Sequence, residues 1–311
     1  MLRKLLLAVV ASLALTAPAS AQWAPKGPIT LQIGFGAGGE TDTLGRIIAS
    51  VMEEQTGWQV VAENKPGGGG VAMASGLAHA PADGSVIGLG VTVPVMINLV
   101  LRGDQLPFKL DSFDYLGTAA RAQMAIVARA DAPFDDLASL VAYSKEKGGI
   151  AASFDAKPQE LITQKINATF GAKLNPLTTK SGAEQMQLLL GGQVDIAYGA
   201  GVHLPFLEKG DMKIIASVNR TRQAYAPNVP TLIEQGLDLY TDPFFYFMAP
   251  AGLADDVKEA LATALANAVA SEKAEKVIKE GLSAEPVTLG PADTRQMMVD
   301  GVEAVGRLFA N

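Results

Sequence analysis

Apolar residues alternate at Ile29, Leu31, Ile33 and Phe35, which predicts a strand. The spacing then changes. Leu44, Ile47, Ile48, Val51 and Met52 recur at helical intervals, and Gly57 stands where such a helix would stop. Trp58 to Ala62 reads as a second strand, a small-residue helix follows through Ala80, and Val86 to Val91 reads as a third strand. Strand, helix, strand, helix, strand is the pattern of a parallel α/β layer.

A second run begins after Asp114. Strands are predicted at Met124 to Ala128, Ile150 to Phe154, within Gly191 to Gly199, and at Lys213 to Val218. Helices are predicted at Phe134 to Lys147, Leu161 to Phe170 and Glu184 to Leu190. The end of the chain differs: an apolar run, Phe244 to Ala249, precedes helical stretches at Asp255 to Ala270, Glu272 to Lys279 and Asp293 to Phe309. The simplest arrangement is two α/β lobes, with the late helices returning to the first. The expected division is 22–122 plus 244–311 for the first lobe and 123–243 for the second. The cleft would lie at the carboxyl ends of the strands, where open α/β sheets bind ligands. Crossings near Arg121 to Ala125 and Asp242 to Phe245 would be the hinge.

The first residues stand apart from this pattern. Arg3 and Lys4 precede an almost unbroken apolar run, Leu5 to Ala17, and Ala19-Ser20-Ala21 is a small-residue cleavage signal. Residues 1–21 therefore read as a cleaved secretory signal peptide, too short for a membrane anchor. The mature chain is expected in a bacterial periplasm. Its net charge is −7 before Arg3 and Lys4 are removed, and it has no basic cluster, which argues against nucleic acid. It has no cysteine, so its stability must come from packing, for which a 49% hydrophobic content suffices.

Candidate chemistry concentrates in IGFGAGGETD, Ile33 to Asp42, between the first strand and its helix. Gly34, Gly36 and Gly39 fit G-x-G-x-x-G. A phosphate-binding Walker loop needs a lysine after its last glycine; Glu40 and Thr41 stand there instead. A dinucleotide loop fits the glycines, and Glu63 sits where a ribose-binding acid belongs. Against it, Glu40 and Asp42 put two carboxylates where a pyrophosphate would lie. A third reading is a small carboxylate held by the unpaired amides and partial positive charge of a helix start, which glycines let it approach. A bare tight turn is the bland alternative. Gly39 is expected to need a positive φ or the close approach of a ligand.

At this point the residues resemble the periplasmic solute-binding proteins of tripartite tricarboxylate transporters, the Bordetella uptake gene family. That family's Phe-Pro-Pro-Gly-Gly-x-x-Asp loop is similar to Phe35, Gly38, Gly39 and Asp42, with Gly36 and Ala37 replacing the prolines. Its Glu-Asn-Arg-Pro-Gly-x-Gly-Gly is similar to ENKPGGGG, Glu63 to Gly70. Further blocks match in order at Pro81 to Gly84, Leu189 to Val194, Pro227 to Thr231 and Ala249 to Gly252. The resemblance implies a two-lobed α/β periplasmic binding fold, type II-like, closing on a small carboxylate. It implies delivery to integral membrane transporter subunits by a monomeric receptor without enzymatic activity, cofactor or metal. Presentation of the ligand to a signalling partner, and an exported dinucleotide-binding oxidoreductase, are the rivals.

Carried over residue by residue, the resemblance implies a first-lobe site at Phe35, Ala37, Gly38, Gly39, Glu40, Thr41 and Asp42. Asp42 would orient bound waters or meet a ligand donor; as a helix-start acid it needs no ligand. The second lobe would contribute Ser153, Phe154, Lys180, Ser181, Gly199, Ala200 and His203, and Phe244 would wall the pocket or join the core. Departures fall in SFDAKPQE, Ser153 to Glu160, where only Ser153 keeps the family's character, Phe154 and Asp155 are bulkier, and Lys157 adds a cation. Glu40 is the oddest change, either solvated or suited to a ligand carrying an amine. The two histidines, His79 and His203, lack metal-ligand spacing, and there is no G-x-S-x-G elbow or cysteine nucleophile.

Overall fold

The computed structural model describes residues 23–309; the predicted signal peptide, residues 1–21, lies outside the described residues. The chain opens β1 (Ile29–Ile33), α1 (Glu40–Thr56), β2 (Val60–Asn64), α2 (Val71–Leu77), β3 (Val86–Val91), α3 (Thr92–Arg102) and β4 (Phe113–Arg121). It continues through β5 (Ala125–Arg129), α4 (Leu137–Glu146), β6 (Ile150–Phe154), α5 (Lys157–Phe170), β7 (Leu174–Thr178), α6 (Gly182–Leu190), β8 (Ile196–Gly199), α7 (Leu204–Glu208) and β9 (Met212–Ser217). It ends with β10 (Phe244–Pro250), α8 (Asp255–Val269), α9 (Glu272–Lys276), β11 (Glu285–Pro286) and α10 (Pro291–Phe309).

These strands form two sheets. One has the order β11-β4-β10-β3-β1-β2, the other β7-β6-β8-β5-β9. β1 is parallel to both β2 and β3, whereas β10 runs antiparallel to β3 and β4. In the second sheet β6 is parallel to β7 and β8, and β5 is antiparallel to β8 and β9. Each sheet with its helices is one lobe.

Both faces of each sheet are covered, which explains the continuous apolar strands. In β10, Phe245 and Phe247 pack on the α1 and α8 side, while Tyr246 and Met248 pack on the side of α2, α3 and α10. β5 alternates likewise: Ile126 and Ala128 face one core, Ala125 and Val127 the other. Burial of each large apolar side chain stabilises by roughly 1.5–3 kcal/mol. The late helices return to the first lobe, with α8 against α1 and β4, and α10 against α3 and β4.

The chain passes between lobes from β4 to β5 and from β9 to β10. One side chain ties these crossings together. Asn219 Nδ2 donates to Ala122 O at 3.0 Å, Thr241 O at 3.2 Å and Asp242 Oδ1 at 3.0 Å, and its Oδ1 accepts from Met124 N–H at 2.6 Å. Ala122 N–H also donates to Pro243 O at 2.8 Å. Among the described residues, no helix is long and apolar enough to cross a membrane.

Candidate functional site between the lobes

The carboxyl ends of β1, β3, β6 and β8 converge where the lobes meet, and α1, α3 and α5 begin there. A small cavity of about 30 Å³ lies at this point. Phe35, Glu40, Thr41, Pro94 and Phe245 line it from the first lobe, Asp155, Gln159 and Ala200 from the second, and Met124 and Thr241 from the crossings. A larger open pocket of about 530 Å³ adjoins it through Phe35, Asp155 and Ala156. Lys157 and Lys180 stand on that pocket's wall, with Gly67, Gly68 and Gly69 opposite.

The lobes already touch. Gly36 N–H donates to Lys180 O at 2.9 Å, and a Cβ on Gly36 would stand only 2.9 Å from that oxygen. Gly36 is thus the position where the first lobe's backbone must be bare to meet the second lobe. Gly39 is not: its φ is −81°, and an added Cβ would find Ser181 Cβ at an ordinary 3.5 Å. The positive φ belongs to Gly38, at 78°. The positive φ expected of Gly39 therefore belongs to Gly38, and the close approach between lobes is made at Gly36.

Asp42 is the keystone of the first-lobe loop. It accepts from Gly38 N–H at 2.9 Å and Asn64 Nδ2 at 2.7 Å, and pairs with Arg46 Nε at 2.9 Å. Asn64 in turn donates to Phe35 O at 3.0 Å and accepts from Arg46 at 2.9 Å. Burial pushes the Asp42 carboxyl up, but hydrogen bonds from Arg46, Gly38 and Asn64 outweigh it and hold the pKa below the usual range. Asp42 does not line the small cavity, and the Gly38 amide it binds is already used. The first turn of α1, Gly39 to Thr41, is what the loop presents to the cleft. Ala37 and Gly38 sit exposed at the loop's outer edge.

Glu40 turns inward. Part of its side chain reaches solvent, but Oε2 is sealed and has no hydrogen-bond partner. A Cβ on Gly182, at the start of α6, would stand 2.6 Å from that oxygen. Burial raises the Glu40 pKa, and the negative charge of Asp155 across the cleft raises it further. Burial raises Asp155 as well, although Gln159 and Gln185 favour its ionised form. Asp155 N–H donates to Gln159 Oε1 at 2.8 Å, which fixes the turn into α5.

The other second-lobe candidates divide. Ala200 lines the cavity, while Phe154 and Lys180 line the open pocket. Ser181 is the cap of α6, accepting from Glu184 N–H at 3.3 Å. Ser153 is fully buried, with its hydroxyl 3.4 Å from Gln185 Oε1. Lys157 pairs with Glu160 at 2.8 Å. His203 is corrected from a cleft contact to an internal prop. It is fully buried, Nδ1 accepts from Gly201 N–H at 3.2 Å, and Nε2 lies 3.0 Å from Tyr225 Oη. That pairing puts its proton on Nε2, and burial pushes its pKa down to about 4, so it stays neutral. Gly199 makes room for it, since a Cβ there would lie 2.5 Å from the ring. Phe244 is half-buried outside the cavity, and its strand neighbour Phe245 faces in.

Sequence reasoning did not single out Pro94, Met124, Gln159, Thr241 or Phe245. The available signal was β3 running into α3, a repeat of the β1-to-α1 junction that had drawn attention to the glycine loop.

The family model for the tripartite tricarboxylate transporter family receptor matches residues 44–311. The chain belongs to that family. It is 28% identical over 305 residues to protein BugT of Bordetella pertussis, covering 94% of this chain and 92% of that one. Among solved structures, the periplasmic binding protein BugD superimposes with a TM-score of 0.84 at 26% identity, over 92% of this chain and 98% of that one. MatC from Rhodopseudomonas palustris, solved with bound malate, shares the fold with a TM-score of 0.81 at 21% identity, over 91% and 99%. Family membership favours the receptor reading over the dinucleotide oxidoreductase, and the geometry agrees. Glu63, the would-be ribose acid, is exposed and paired with Lys65 at 2.7 Å.

Proposed function

We propose that this receptor is exported to the periplasm by its N-terminal signal peptide. There it closes its lobes on a small organic carboxylate and delivers it to the membrane subunits of a tripartite tricarboxylate-type transporter. The observation that carries this reading is the small cavity between two lobes at the carboxyl ends of their parallel strands, with Gly36 already latched to Lys180. The ligand carboxylate is taken by the α1 start, Gly39 to Thr41, with Lys157 and Lys180 at the mouth of the cleft. A few charge-assisted hydrogen bonds of roughly 1.5–3 kcal/mol each suffice for micromolar binding. The malate in the similarly folded MatC supports the ligand class. The protein acts as a monomer, without catalysis, cofactor or nucleic acid, and its two lobes hinge at the crossings held by Asn219.

The experiment is a thermal-shift screen of the mature protein against di- and tricarboxylates, aromatic acids and amino acids. A ligand at 100 times its dissociation constant adds about 2.7 kcal/mol of stability. The reading requires at least one acid to bind, and small-angle scattering to show no expansion on saturation. Silence from every organic acid would remove the carboxylate claim. Growth and uptake assays on a deletion strain separate transport from signalling.

A further inference from the structure

We propose that the small cavity is a cation subsite, in which Glu40, Asp155 and the Thr241 hydroxyl receive the ammonium group of an amino-carboxylate ligand. This rests on the receptor reading above and names its substrate class.

The cavity's lining contains two carboxylates and no lysine, arginine or histidine. The two acids come from different lobes, Glu40 from the first turn of α1 and Asp155 from the turn between β6 and α5, so they face one another only when the lobes close. Asp155 is 9% exposed. Glu40 lines the cavity, and its Oε2, which lies against Gly182, is sealed and unpartnered. A second orphan points the same way. Thr241 is 7% exposed, lines the same cavity, and its Oγ1 has no partner. A buried polar group without a partner costs free energy, and two facing carboxylates cost more. One group resolves all of these deficits together: a cation with several N–H donors.

Size agrees with charge. About 30 Å³ holds one or two water-sized groups, and an ammonium is such a group. A whole organic acid does not fit. Its carbon body must extend past Phe35, Asp155 and Ala156 into the open pocket, where Lys157 and Lys180 stand. The cleft therefore carries two carboxylates at its inner end, while at its mouth Lys180 stands beside Glu184, and Lys157 is paired with Glu160. That inner end suits an ammonium and opposes a simple dicarboxylate, whose inner carboxylate would be a third negative group in the cavity. Without such a ligand the pair holds a proton on Glu40, because burial raises its carboxyl and the negative charge of Asp155 raises it further. An arriving ammonium displaces that proton.

The test is calorimetry on the mature full-length protein with matched pairs: L-aspartate and succinate, L-glutamate and glutarate, L-alanine and propionate, 4-aminobutyrate and butyrate. At least one amino acid should bind about tenfold or more tightly than its partner without the amine, the scale of a charge-assisted hydrogen bond. Its binding should release protons, read from the dependence of the heat on buffer ionisation. Glu40→Gln and Asp155→Asn should erase the preference, so that the two members of the pair bind equally. Both variants remove a buried acid, so folding should survive, as thermal denaturation would verify. The inference is overturned if amine-free acids bind as tightly in every pair, or if the preference outlives both substitutions. If neither member of any pair binds and the wider acid screen is also silent, the receptor reading itself fails.

Discussion

The two loops that meet across the cleft are built on opposite principles. The backbone of the first-lobe loop, Gly34 to Asp42, is held from within: Asp42, Asn64 and Arg46 tie Gly38 N–H and Phe35 O into one network. The second-lobe segment around Asp155 is not. Gln185 is fully buried with its Nε2 unpartnered, and the charge of Asp155 acts on Glu40, the one first-lobe side chain with a buried, unpartnered oxygen among those described. One side is a finished scaffold that presents backbone; the other, joined by Glu40, is left with groups that a ligand must complete. The contrast teaches that rigidity is assigned to the first-lobe backbone and selectivity to side chains that meet across the cleft. Pre-organised amides bind any carboxylate, and unmet side chains choose among them.

The largest effect should come from dismantling the finished side. Asp42→Ala removes the acceptor of Gly38 and the partner of Asn64 and Arg46, and leaves part-buried donors unmet. Unfolding in urea should show a loss of about 2–3 kcal/mol, the range for hydrogen bonds to a buried charge. Ligand binding should disappear with it. Asp42→Asn, which keeps an acceptor, should lose less. An Asp42→Ala protein of native stability would mean the loop is held by something other than this network.

Next comes the contact between the two sides. Gly36→Val drives a branched side chain against Lys180 O, where even a Cβ has 2.9 Å. Folding of each lobe should survive, because the clash exists only on closure. Affinity should fall by about tenfold or more, consistent with a blocked closure step. Small-angle scattering should show a larger radius of gyration than wild type. Gly39→Ala is the control, since its Cβ would make only an ordinary contact at 3.5 Å. Equal losses in both variants would show that the whole loop is intolerant, and the latch would lose its special status.

The first loop was legible in the sequence because its message is local. A strand period of two gives way to a helical period across a run of glycines, and the composition of that run limits what it can hold. β3 was legible for the same reason. α3 was not: TVPVMINLV, Thr92 to Val100, is apolar on nearly all sides and carries Pro94, yet it folds as a helix between the first sheet and α10. β4 was hidden too, since FDYLGTAAR, Phe113 to Arg121, lies between β10 and β11 and has no alternation to display. β7 contains Pro176, which only its edge position permits. At the site, Asp155 and Glu40 were each noticed as departures, but nothing in the chain says that they face one another. His203 misled because a polar residue in a predicted loop looks available; only packing reveals that Gly199 opens a slot for it.

A smaller effect follows from the unfinished side. Glu40 and Asp155 have raised pKa values in the closed form, so that form holds protons which the unfolded chain has released. The contribution of this pair to the stability of the ligand-free protein should therefore be greatest below the ordinary carboxylate range. It should decline as pH rises from about 5 towards 8, because the folded state binds more protons there. Asp42 contributes with the opposite sign, since its pKa is lowered: its stabilisation is present above the ordinary aspartate range and is lost in acid. Thermal melts across pH should show a decline above about 5 that Glu40→Gln flattens, with a separate acid limb that it leaves alone. A wild-type profile flat from pH 5 to 8 would mean the acids are solvated in the free protein, and that the lobes stand open.

The smallest effect should be at Ser153, and it tests whether the second lobe is a scaffold after all. The resemblance to the receptor family places an anion-binding serine here, as a counterpart to the first-lobe loop. In the structure Ser153 is fully buried and its hydroxyl has only a long 3.4 Å contact with Gln185 Oε1. That oxygen already accepts from Tyr198 N–H at 3.0 Å, so Ser153→Ala leaves no acceptor orphaned. The hydroxyl itself is the only polar group lost, and the methyl left behind suits an apolar neighbourhood. Stability should change by no more than about 0.5 kcal/mol, at the low end for a neutral hydrogen bond. Affinity for the carboxylate should stay within about twofold of wild type, since Ser153 lines neither the small cavity nor the open pocket. A tenfold loss of affinity at unchanged stability would place the Ser153 hydroxyl on the ligand. The second lobe would then be an anion loop like the first, and the division between a finished and an unfinished side would collapse.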